Sequence, residues 1–411
     1  MSKLTSKTRL LTMSLITVTA LVSCGNSSII SSGSSSSISS STSSSSSSSS
    51  EGTKVNVLEN EDLTSEYIHW IGRTDYDEQQ ARVNFYYTAT GFEVNFYGTE
   101  LSVTFYAQSA TDSGKRPYFS IFVDDADLPN DEVISIETVT QTIKLASGLT
   151  PGEHKLKILK RSEPYDGVTA ISSVKTDGHF EKYVADENQL KFQILGASGI
   201  SGHGSLGEPN TGRNTKNSSS LHAFGYLTAR MFNAETQFVS NSGLGLVWGA
   251  HPTNLRKAYD YVGLDKSVNV VEKEWNHTSW VPDVVIVNIG GNDWTSYISN
   301  LSNQGPAKIQ FKQAVIEFLT HIHTLYPNTN VIWVHTNSSN GTEAQSAIGD
   351  YSKRKQVKVV VMPKVGSDGD PEGANGHNSV YTHIRAAQII ADAITEMTGL
   401  KQVKENITWN A

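Results

Sequence analysis

The chain is poor in the features that would assign it to several common classes. Its 411 residues contain a single cysteine, Cys24. One thiol excludes an intrachain disulfide and a thiolate metal site. The N-terminal apolar stretch, Leu10 to Val22, falls short of the roughly 20 residues that a membrane-spanning helix needs. Basic blocks are scarce. Lys353-Arg354-Lys355 is the one run that stands out, and the net charge is -8. Nucleic acid is therefore not an expected partner. No helical periodicity of useful length appears before residue 180.

What is present begins with an export pattern. Lys3, Lys7 and Arg9 precede the apolar stretch, and Leu21-Val22-Ser23-Cys24-Gly25 closes it. The Leu-Val-Ser-Cys ending resembles a bacterial lipobox, which implies cleavage before Cys24 and lipidation of its thiol. Residues 1–23 are expected to be a lipoprotein signal peptide. Residues 24–52 are expected to be a disordered tether. From Asn26 to Ser50 that stretch is nearly all serine and cannot bury enough apolar surface to offset its ordering entropy. On this reading the mature protein is exported and anchored by lipid to a bacterial membrane, the outer one, as a monomer.

Two halves follow, with different periods. Residues 53–184 alternate apolar and polar in short runs. Arg82 to Tyr87, Gly91 to Tyr97, Leu101 to Tyr106, Tyr118 to Val123, Thr142 to Leu145 and Gly152 to Lys160 read as strands. Asp124-Asp125 reads as a turn. Many such strands predict an antiparallel, jelly-roll-like β-sandwich. Residues 185–411 alternate strand and helix patterns. Strands are expected at Lys191 to Leu195, Thr236 to Ser240, Pro282 to Gly291, Asn330 to His335 and Val357 to Met362. Helices are expected at Ser220 to Phe232, Pro306 to Leu325 and Val380 to Met397. The long helix should bury Ile309, Val315, Phe318, Leu319 and Ile322. This pattern predicts an α/β/α fold with a parallel sheet.

In such sheets ligands meet the carboxyl ends of the strands. Four blocks lie just beyond a strand or just before the last helix: Gly196-Ala197-Ser198, Ser242-Gly243, Gly291-Asn292-Asp293 and Gly376-His377. Acyl transfer needs a nucleophile, a base for its proton and donors for the developing oxyanion. Ser198 and His377 suit the first two roles. The N–H groups of Ser198 and Gly243 and the amide of Asn292 suit the third. Any one block is a weak signal, but the four in this order are a strong one.

The second half resembles the SGNH hydrolases of the GDSL type, a superfamily of serine esterases. The first half resembles the β-sandwich that precedes the hydrolase domain in carbohydrate esterase family 2. The residues that carry this second likeness are Ile71-Gly72-Arg73-Thr74, Phe96-Tyr97-Gly98-Thr99, Phe122-Val123-Asp124-Asp125, Gly152-Glu153-His154 and Lys160-Arg161-Ser162-Glu163. The resemblance implies a carbohydrate O-deacetylase acting on xylan- or mannan-type polysaccharide, with no cofactor and no metal. It also implies that His377, rather than His383, is the base. Trp294, Trp248 and His203 are candidate substrate contacts.

Three positions depart from the family pattern. Ala197 stands where the first block has aspartate. Asn375 stands where an acid precedes the base by two residues. Gly376 stands where a tryptophan would close the pocket wall. Asn375, a backbone carbonyl, or Asp368 or Asp370 could then orient His377. A general short-chain carboxylesterase or lipase, and a catalytically impaired surface glycan-binding protein, are the competing readings.

Overall fold

The computed structural model describes residues 54–128 and 131–408. The expected signal peptide, the lipidated Cys24 and the serine-rich tether lie outside the described residues. Gly52–Ala411 forms one compact unit.

The first half is a pair of antiparallel sheets, each six-stranded among the described residues. In one, the order runs Thr74–Asp77, Arg82–Phe85, Thr169–Thr176, Leu101–Ala107 and Thr140–Ala146, with Val57–Glu59 beside Thr169–Thr176. In the other it runs His179–Glu181, Gly91–Gly98, Gly152–Lys160, Tyr118–Val123 and Glu132–Ser135, with Ile68–Ile71 beside Gly91–Gly98. Period-two alternation explains the packing. Leu101, Val103 and Phe105 face inward from one sheet, and Phe92, Val94 and Phe96 from the other. Each such fully buried side chain contributes about 1.5–3 kcal/mol. Asp124 and Asp125 both hold positive φ, 52° and 61°, at the expected turn. Strand Thr169–Thr176 was not expected, because its serines and threonines interrupt the apolar pattern.

The second half is a five-stranded parallel sheet in the spatial order Glu235–Ser240, Lys191–Gly196, Val284–Asn288, Asn330–His335, Val357–Val361. Val284, Val285, Ile286 and Val287 are wholly buried, as expected of a strand covered on both faces. Two helix expectations need correction. Ile309 is 71% exposed, and helix Gly305–Leu325 instead buries Ala307, Phe311, Ala314, Val315, Phe318, Leu319 and Ile322. The segment from Ser220 is broken at Ala223, which is extended, into a short 3-10 turn and helix Phe224–Met231. A further helix, Ser339–Asp350, packs on small residues and has little apolar periodicity to reveal it.

The halves share buried contacts. Arg73, fully buried, reaches from the sandwich to the carbonyls of Tyr259 and Tyr261, both at 2.7 Å, and to Gln237 Oε1 at 3.1 Å. Its guanidinium also lies 5.1 Å from the Trp275 ring centre. Ile71, Tyr87, Phe122 and Leu159 of the sandwich join the core of the α/β half.

Candidate active site

Strand Lys191–Gly196 ends in Ala197, and Ser198 opens a single helical turn, Ser198–Ser201. Ser198 is the first residue of the helix, so its N–H has no carbonyl one turn earlier to reach and has no protein partner among the described residues. Gly204 follows because the chain must pass the histidine loop closely. Ala374 N–H donates to Gly204 O at 2.9 Å, and a Cβ on Gly204 would lie 2.4 Å from Ala374 O. The first and fourth blocks are stitched together by backbone there.

Ser198, Asn292, His377 and His203 line one cavity of about 340 Å³ at the carboxyl ends of the strands. Gly376 is also on its wall and leaves open space where a side chain would stand. Gly243 does not line this cavity; it is one residue from Leu244, whose carbonyl accepts 2.8 Å from Asn292 Nδ2. That bond fastens the Gly243 loop to the Asn292 turn. Asp293 strengthens the link, accepting the backbone N–H groups of Leu246, Val247 and Trp248 at 2.8–2.9 Å. Burial pushes the Asp293 carboxyl up to about 6, against the pull of those three donors.

His377 is half-buried, and its Nδ1–H donates to the Asn375 carbonyl at 2.9 Å. This leaves Nε2 as the basic nitrogen. Burial lowers the His377 pKa, and His203 adds to that, while the Asn375 carbonyl and Glu163 act in the opposite sense. The neutral, proton-accepting form is thereby favoured.

Several expectations are corrected here. The Asn375 side chain does not hold the base; its Nδ2 donates to His203 Nε2 at 3.2 Å, and the backbone carbonyl does the orienting. Asn375 reaches that geometry with φ of 56°, a left-handed conformation that asparagine tolerates. Asp368 and Asp370 are both held by Arg385, at 2.6 and 2.8 Å. His383 is buried and accepts the Phe224 N–H, so its lone pair is occupied. Trp294 stands edge-on to Phe311, 5.0 Å between ring centres, and is not on the cavity wall. Trp248 stacks on Tyr297 at 4.6 Å, also away from that wall. His203 is the one of the three expected substrate contacts that lines the cavity.

Sequence reasoning missed a set of buried charges behind the site. Glu163 and Asp166 come from the sandwich half. Arg213 Nη1 and Nη2 donate to Asp166 at 2.5 and 2.6 Å, and Nη2 also reaches Glu163 at 3.2 Å. The available signal was the capping-box spacing of Glu163-Pro164-Tyr165-Asp166, which fixes a tight 3-10 turn.

The comparisons with known proteins agree with this architecture. Residues 70–181 match the family described as carbohydrate esterase 2 N-terminal. The cellulase/esterase CelE of Acetivibrio thermocellus is 26% identical over 79% of this chain, and the chain spans 38% of that protein's length. An acetylxylan esterase / glucomannan deacetylase of Cellvibrio japonicus is 21% identical over 78% of the chain and 88% of its own. A solved family two carbohydrate esterase from Clostridium thermocellum, in complex with cellohexaose, is 26% identical over 81% of the chain and 99% of its own, with a TM-score of 0.68. This chain resembles the family 2 carbohydrate esterases in both halves. The fold is the β-sandwich followed by an SGNH-type α/β/α domain.

Proposed function

We propose that this chain is a serine esterase that removes acetyl groups from polysaccharide of the xylan or mannan type. The observation that carries this is the convergence of Ser198, Asn292 and His377 on one small cavity, with His377 held through Nδ1 by a backbone carbonyl. The names of the relatives, acetylxylan esterase and glucomannan deacetylase, support the substrate class.

In this mechanism Ser198 Oγ forms a bond to the acetyl carbonyl carbon as its proton passes to His377 Nε2. The N–H groups of Ser198 and Gly243 and the Asn292 amide receive the oxyanion. The bond to the sugar oxygen breaks, and His377 returns the proton to that oxygen. Water then forms a bond to the acetyl carbon as its proton passes to His377, the bond to Ser198 Oγ breaks, and His377 returns the proton to Oγ as acetate leaves. A cavity of about 340 Å³ admits an acetyl group and part of a sugar.

Release of acetate from acetylated xylan or glucomannan tests the proposal. The intact protein should release it, and Ser198→Ala should fall to background. If neither does while both bind glycan, the impaired, glycan-binding reading replaces this one. Preference for p-nitrophenyl esters of C8 or longer would favour the lipase reading.

The proposal includes location. The Leu21-Val22-Ser23-Cys24 pattern behind a basic, apolar N-terminus supports an exported protein, lipid-anchored through Cys24 to a bacterial outer membrane. Partition of the protein into detergent, abolished by Cys24→Ser, is the expected behaviour. Equal partition of both forms would overturn it.

A further inference from the structure

The esterase reading leaves one buried carboxylate unused. Glu163 is wholly buried and lies in the sandwich half, 79 residues from its closest partner. Its two oxygens meet three residues of the other half: Ser242 most closely, Arg213 Nη2 at 3.2 Å and His203 Nδ1 at 3.5 Å. Oε2 accepts the Ser242 N–H at 2.5 Å, and Oε1 accepts the Ser242 hydroxyl at 2.8 Å. Ser242 immediately precedes Gly243. Its carbonyl is tied too, accepting from His251 Nε2 at 2.8 Å and from Asn241 Nδ2 at 2.7 Å. The Ser242 carbonyl and the Gly243 N–H belong to one planar peptide. Fixing one therefore aims the other. Gly243, at φ of 84°, has no protein acceptor for its N–H among the described residues.

A second line runs from the same serine. His203 Nδ1–H donates to Ser242 Oγ at 2.9 Å, and its Nε2 accepts from Asn375, so both ring nitrogens are pinned. The His203 ring lies 4.3 Å from that of His377, tilted by 38°. His377 thus rests on a ring whose orientation is set through Ser242 by Glu163. Arg213 keeps the buried carboxylate ionised and is itself clasped by Asp166. Burial alone would push the Glu163 carboxyl up, but the imidazole of His203, Arg213 and the Ser242 N–H together hold it well below the usual carboxylate range.

We propose that Glu163 of the sandwich half is a positioning residue for both working parts of the centre: it aims the Gly243 N–H through Ser242, and it seats His377 through Ser242 Oγ and the His203 ring. This rests on the esterase reading, which makes Gly243 and His377 the working parts. It also gives the sandwich a catalytic purpose beyond packing.

The groups facing His377 are His203 after the Ser198 turn, Glu163 of the sandwich, Arg213 of the loop between, and His383 of the terminal helix. Among them Glu163 is the anion, so its neutralisation should lower the His377 pKa. The experiment compares the full chain with Glu163→Gln and Ser242→Ala, each checked for folding by circular dichroism. Glu163→Gln should reduce kcat by roughly 10-fold or more, with KM within about 3-fold. Its acid limb in kcat/KM should shift by about half a unit to lower pH. Ser242→Ala keeps the Glu163–Arg213 pair and removes the hydroxyl that joins Glu163 to His203, leaving only the longer 3.5 Å contact between Glu163 Oε1 and His203 Nδ1; it should reduce kcat by a similar factor even if Glu163→Gln fails to fold. A folded Ser242→Ala with wild-type kcat overturns the proposal, as does a Glu163→Gln protein with unchanged kcat and acid limb. NMR titration of the His377 ring in the same proteins separates the two readings. A wild-type chain that releases no acetate but shows a lower His377 midpoint in Glu163→Gln defeats the esterase and keeps the positioning. An unmoved midpoint defeats the positioning, whatever the activity.

Discussion

The seam between the halves and the cavity that holds Ser198 are built on opposite principles. The seam buries Arg73, Glu163, Asp166 and Arg213, and Lys160 donates to the carbonyls of Tyr86 and Gly167 close by. The cavity is electrically quiet. Among the described residues, no carboxylate lies within hydrogen-bond distance of Ser198 or His377. Charge has been moved out of the catalytic group and into the scaffold that holds it. Buried charges are costly unless partnered. Arg73 reaches carbonyls and Gln237 of the other half, and Arg213 bridges to Asp166 and Glu163, while Arg73 Nη2 and Arg213 Nε have no partner among the described residues. Neutral donors and a backbone carbonyl can then be held in place without a competing acid.

The comparison is most easily broken at Arg73. Arg73→Ala removes hydrogen bonds to the Tyr259 and Tyr261 carbonyls and to Gln237, and leaves those acceptors buried. A loss of about 3–5 kcal/mol is expected, enough to lower Tm by roughly 5–10 °C. Thermal unfolding followed by circular dichroism checks it. A Tm within a degree or so of wild type would show that the seam carries little of the stability.

How much of this was legible in the sequence depended on the range of the interaction. Period-two runs such as Gly91 to Tyr97 and the apolar run through Val284 to Val287 revealed their elements, because burial there follows directly from local pattern. Helix Ser339–Asp350 escaped because it buries only small or lone apolar residues, Gly341, Ala344, Ala347 and Ile348. Ile309 was misplaced because an isolated isoleucine beside the helix start fits an apolar stripe without belonging to it. The order of the Ser198, Gly243, Asn292 and His377 blocks pointed to the cavity because each sits at an element end. The grip of Glu163 on Ser242 was invisible, since neither residue's neighbours encode a contact 79 positions away. The orienting group of His377 was ambiguous for a different reason. A backbone carbonyl leaves no mark on residue type, and the Asn375 side chain drew attention from its own main chain.

That ambiguity is also where the account is tested most directly. If the Asn375 carbonyl orients the base and its side chain only steadies His203, the side chain is dispensable for the chemistry. Glycine adopts the left-handed conformation of position 375 without strain and keeps the carbonyl. Acetate release by Asn375→Gly should stay within about fivefold of wild type, with His377→Ala at background in the same assay. A fall of roughly 10,000-fold in Asn375→Gly, the scale seen when a triad acid is lost, would contradict the account.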